Sequence, residues 1–152
     1  MESTGPGAAV EWLAAAAPDP QACRREWQRS GLGVVLLPAG RCWDVLLVPG
    51  RLGRPAQRLL AGMTRGGPVL LDPGDDSVGF FVPVGTAARW IGTGVRGAGE
   101  GTWVVVPHPV RRSPGLHWLV PPDGSGQLND PVLLELALHE AAAALDGPGE
   151  HW

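Results

Sequence analysis

A chain of 152 residues is long enough for one domain with a substantial core and short for two. Its formal net charge of −3 argues against a strongly basic nucleic-acid binder, and no apolar run reaches the roughly 20 residues a membrane helix needs. Hydrophobic residues at 44%, beside 23 glycines and 16 prolines, describe a loop-rich globular chain rather than a disordered one.

Every basic side chain is Arg, and Lys and Tyr are absent, a bias that points to a GC-rich genome and explains much of the Ala, Gly and Pro content. Cys23 and Cys42 could pair, but two cysteines make no disulfide framework, and no charged segment with an apolar core opens the chain. The expectation is a cytoplasmic protein without a membrane partner. Residues 1–8 read as a disordered start, 9–146 as a single domain and 147–152 as a tail.

In chain order, Val10, Leu13 and Ala17 lie at helical spacing in residues 9–17. Asp19 is a good helix cap with Pro20 at the first helical position, and the helix it starts places Cys23 and Trp27 on one face before Gly31. Residues 34–37 and 42–48 read as two strands joined by Ala39-Gly40, a predicted hairpin. Residues 51–61 form an amphipathic helix with Arg51, Arg54 and Arg58 on its polar side, and Pro55 is tolerable there only near the start. Residues 69–71 and 78–84 make a second predicted hairpin about the turn Asp-Pro-Gly-Asp-Asp-Ser, and residues 86–90 a helical turn.

Residues 95–109 read Val-Arg-Gly-Ala-Gly-Glu-Gly-Thr-Trp-Val-Val-Val-Pro-His-Pro, a glycine loop feeding a strand of buried type at 103–106. Arg96 stands at the mouth of that loop, where it meets a phosphate, a carboxylate or solvent. Residues 116–120 are a further strand, and Asn129 or Asp130 caps a last helix from Pro131 to Leu145. The fold class is α+β, a mostly antiparallel sheet flanked by helices.

The order of these elements, with the motif Val-Arg-Gly-x-Gly-x-Gly-x-Trp-Val-Val-Val-Pro-x-Pro and a following strand carrying Trp118, resembles the N-terminal domain of bifunctional DNA primase/polymerases, in the archaeo-eukaryotic primase superfamily. The resemblance covers roughly residues 33–122. It implies a primase-polymerase fold whose active members carry an Asp-x-Asp or Asp-x-Glu pair, a Ser-x-His and a third acid, the carboxylates binding two divalent metals. Here Asp44 matches the first acid, Leu46 stands at the second, and the histidine and third acid have no counterpart at 79–81 or 93–95. One carboxylate does not hold two magnesium ions. The resemblance therefore implies a degenerate, non-catalytic member without cofactor, using Mg or Mn only if the family activity is retained.

The candidate phosphate or nucleic-acid contacts are Arg96, Gly97 and Gly99, because amides in a glycine loop can converge on an anion, with Arg111, Arg112 and the arginine helix as extensions. The bland alternatives are a cap in which Arg96 pairs with Glu100, and a solvated helix face. Asp44 is a residual metal ligand or an acid paired with Arg41 or Arg65. Asp72, Asp75 and Asp76 are a hairpin turn or a hard-cation site. Cys23, Cys42, His108 and His117 are of zinc-ligand type without zinc spacing, and Ser113 lacks a nucleophile motif. The tryptophans at 43, 90, 103 and 118 are core rings or stacking platforms for bases. The functions in view are a non-catalytic module contacting nucleic acid, nucleotide phosphate or a protein partner; a nucleotidyltransferase completed by a partner subunit; and an interaction protein that dimerises through the last helix.

Overall fold

The computed structural model describes residues 6–29, 33–92, 94–110 and 115–145. In order they form α1 (Pro6–Ala14), α2 (Pro20–Arg29), β1 (Val34–Pro38), β2 (Asp44–Pro49), α3 (Gly50–Met63), β3 (Val69–Asp72) and β4 (Ser77–Val82). There follow α4 (Thr86–Arg89), β5 (Arg96–Ala98), β6 (Trp103–Pro107), β7 (His117–Val120) and α5 (Pro131–Leu145). The architecture is α+β and every strand pairing is antiparallel.

The helix starts follow from their first residues. Asp19 Oδ1 accepts from the amides of Gln21 and Ala22, and Asp130 Oδ1 accepts from those of Val132 and Leu133, so each acid satisfies two orphan donors and meets the positive end of its helix. Asn129 does not cap but anchors. Buried, it donates through Nδ2 to the carbonyls of Pro68 and Phe81 and accepts the Gly67 amide, pinning the start of α5 to β3 and β4. The first helix begins at Pro6, earlier than its apolar spacing suggests, since proline is well placed in a first helical turn.

Five strands form a sheet in the order β5-β2-β4-β3-β7. Side chains alternate across it. Leu46 and Val48 of β2, Val78, Phe80 and Val82 of β4, and Val69 and Leu71 of β3 meet Ala56 and Leu60 of α3 and Leu134, Ala137, Leu138 and Ala141 of α5. Val45, Phe81, Leu70 and Ala98 face the other way, toward Leu13 of α1, Cys23 and Trp27 of α2, and Val35, Leu37 and Val106 of a two-stranded ribbon. Both faces of β4 are buried, which is why it reads as one continuous apolar run. Each large side chain fully buried here contributes about 1.5–3 kcal/mol.

The expected hairpin of β1 with β2 does not form. β1 pairs with β6, and β2 lies between β4 and β5. Gly40 turns the chain, but its amide bonds to the Trp43 carbonyl, which starts β2 in another sheet. The hairpin of β3 with β4 forms as the Asp-Pro-Gly turn requires, Asp72 Oδ1 accepting the amides of Gly74 and Asp75.

The β1–β6 ribbon also overturns the reading of residues 103–106 as a buried central strand. Leu37 and Val106 are enclosed, whereas Leu36, Trp103 and Val105 are 59%, 54% and 45% exposed. At the two ends of the ladder the Ala39 amide donates to the Thr102 carbonyl and the His108 amide to that of Gly33. Bonded pairs recur at every second position between them, so Val104 and Val106 turn their backbone groups to β1, and Trp103, Val105 and Pro107 turn theirs away. Pro38 and Pro107, which have no N–H to give, occupy outward-turned positions and cost the ladder no bond.

Candidate functional site

Residues 96–98 are a strand rather than a loop. β5 pairs with β2 in the register Leu47↔Arg96, Leu46↔Gly97 and Val45↔Ala98, which places Arg96 and Ala98 on the sheet face that looks toward the ribbon. Arg96 Nη2 donates to Asp75 Oδ2 at 2.8 Å, not to Glu100. Both partners are more than half exposed, so the pair contributes no more than about 1 kcal/mol. Gly97 serves packing: a Cβ there would stand 2.8 Å from that of Ala87, whereas one on Gly99 would make ordinary contacts, 3.4 Å from Ala87 Cβ and 3.5 Å from Asp44 Oδ2. Glycine at position 97 lets β5 lie this close to α4.

Asp44 lies beside Gly99. It is 1% exposed, and its Oδ2 accepts the amides of Gly85 at 2.9 Å and Ala87 at 3.0 Å, while Oδ1 has no hydrogen-bond partner among the described residues. Gly85 holds a φ of 94°, the left-handed turn that aims both amides at the carboxylate. Asp44 therefore ties β2 to the 83–87 segment and pairs with neither Arg41 nor Arg65. Arg65 instead lies 3.5 Å from Asp123, whose carboxyl is held below its ordinary range by the hydrogen bonds of Ser125 and, less strongly, by that guanidinium.

Between the ribbon-facing side of the sheet and β6 lies a cleft of about 210 Å³. Its floor is apolar, with Val45, Leu47, Leu70 and Ala98 around the buried Gly79, where a Cβ would stand 3.2 Å from Val45 Cγ1. One end carries Asp72, Asp75, Ser77 and Arg96, and one wall is Thr102, Trp103, Val104 and Val105. Arg96 and Trp103 thus share a cavity that the sequence did not connect. Its charge is two carboxylates against one guanidinium. A second groove, of about 300 Å³, lies between Trp12, the end of α3 at Thr64 and Arg65, and the 121–127 loop.

The remaining candidates scatter. Arg111, Arg112 and Ser113 lie outside the described residues. Cys23 is buried and Cys42 exposed, and both are free thiols; burial pushes the Cys23 thiol up to about 11. His108 Nδ1 accepts the Val110 amide and its ring meets that of Trp27 edge-on at 5.7 Å. Among the described residues, no three of His, Cys, Asp and Glu are grouped to hold a metal ion. Trp43 packs on Phe81 at 4.6 Å in the core and Trp118 lies 5.6 Å from the same ring, whereas Trp103 is an exposed ring beside a cavity. Leu36 and the free edge of β6 went unnoticed in the sequence; the outward register of Pro38 and Pro107 is the signal that marks them.

No family model matches the chain, and neither a curated protein nor a solved structure does. Among the described residues, no helix is long and apolar enough to cross a membrane.

Proposed function

We propose that the protein is a non-catalytic, primase-polymerase-like binding module that holds an extended segment of a protein partner along the outer edge of β6. The observation that carries this reading is the edge itself: the backbone groups of Trp103 and Val105 point away from β1, and their side chains and Leu36 are solvent-exposed. An added strand would bond to those groups and send alternate side chains toward the cleft, the mode by which sheet edges take peptides. The apolar floor suits aliphatic side chains, and the end with Asp72 and Asp75 suits one Lys or Arg.

The same lining weighs against a nucleotide phosphate, since Arg96 is already engaged by Asp75 and a phosphate would have to displace that carboxylate beside Asp72. The enclosure of Asp44 and its two amide bonds weigh against a nucleotidyltransferase completed by another subunit's acids. The test is selection of displayed random twelve-residue peptides on the full chain, followed by affinity measurement with synthetic copies. Enriched sequences should alternate apolar residues with one basic residue, and Val105→Pro, which removes one outward N–H, should weaken them at least about tenfold while the fold persists. Absence of enrichment, or affinity indifferent to Val105→Pro, overturns the proposal. Salt-dependent binding of a single-stranded oligonucleotide that Arg96→Ala abolishes would assign the cleft to phosphate instead.

A further inference from the structure

On the opposite side of the sheet, the outer surface of the helical layer carries two complementary stripes. Arg51, Arg54 and Arg58 project from α3, exposed, and none forms an ion pair with a described residue. Beside them α5 exposes Val132 and Leu136, at 66% and 53%, flanked by Glu140 and by Glu135, whose Oε2 lies 4.0 Å from Nε2 of the exposed His139. The two helices run in opposite directions: the amide of Gly50, at the start of α3, bonds to Asp76 in the β3–β4 turn, while the segment after α3 reaches Asn129, just before α5, through Gly67.

We infer that this layer is where a second copy of the chain docks. A two-fold axis parallel to the helices lays α3 of each copy on α5 of the other. Every contact then occurs twice, with the arginines of one copy meeting Glu135 and Glu140 of its partner over the apolar patch of Val132 and Leu136. The charges select this occupant. A nucleic acid attracted to the three arginines would bring its phosphates against two glutamates on the neighbouring helix, whereas a second copy brings an arginine to each acid. The extent of apolar exposure agrees: Val132 and Leu136 are more than half exposed on a helix whose polar side chains are Glu135, His139 and Glu140.

The test is mass measurement in solution on the full chain, from low to high micromolar protein. The expected result is a concentration-dependent dimer that Leu136→Asp weakens by roughly tenfold or more with unchanged circular dichroism. Arg54→Glu with Arg58→Glu should also weaken it, and adding Glu135→Arg with Glu140→Arg should restore it, a rescue that misfolding does not produce. A monomer at every concentration, or a dimer indifferent to the charge reversals, overturns the inference. So does a monomer that binds an oligonucleotide through Arg54 and Arg58.

Discussion

β4 and β6 are alike in composition and opposite in the molecule. Phe80, Phe81 and Val82 are enclosed by helices on one side and by the ribbon and α1 on the other, while Trp103 and Val105, of equal apolarity, stand half in water. The difference is one of neighbours: β4 has strands on both sides, and among the described residues β6 has β1 alone. Apolar content therefore identifies a strand without saying which of its faces or edges is covered, and the uncovered edge is where a partner can bind.

The contrast is widest between Trp43 and Trp103, one enclosed and one exposed. Trp43→Ala should cost about 3–5 kcal/mol, because it empties a fully buried site against Phe81, while Trp103→Ala should cost under about 1 kcal/mol. Urea unfolding of both variants measures the gap, and equal losses would mean that β6 is core after all. Asp44 comes next. Asp44→Ala should cost about 3 kcal/mol by leaving the Gly85 and Ala87 amides unpaired, and Asp44→Asn only about 1 kcal/mol, since an amide oxygen can still accept from both. A residual metal ligand would behave otherwise, its removal leaving the metal-free protein as stable or more so.

The smallest effect separates the thiols. Cys42 should react with a thiol reagent at pH 8 in the folded protein and Cys23 only on unfolding. Because the folded pKa of Cys23 lies above its ordinary value of 9.0, the unfolded chain releases the proton first. Stability should therefore fall as pH rises from 9.0 to about 11, and Cys23→Ala should flatten that part of the profile.

Local chemistry was legible wherever its partners are close in sequence. Asp19 and Asp130 announce helix starts by standing before a proline, and residues 72–77 announce a hairpin. What was not legible depends on partners far along the chain. Nothing local to Asp44 indicates that its carboxylate bonds to amides about 40 residues away, nor that Arg96 turns to Asp75 rather than to Glu100. Gly97 looks like part of a phosphate loop because close packing against Ala87 and close approach to an anion impose the same requirement, a backbone without a side chain. Two apolar runs joined by Ala39-Gly40 suggest a hairpin, yet the choice between pairing β1 with β2 or with β6 is made by the core they share.

Amide hydrogen exchange of the native protein reads whether the outer edge of β6 is open. The amides of Val104 and Val106, turned to β1, should exchange slowly, and those of Trp103 and Val105, turned outward, should exchange fast, then slow when a selected peptide is bound. Uniform protection along residues 103–106 in the free protein would contradict an open edge.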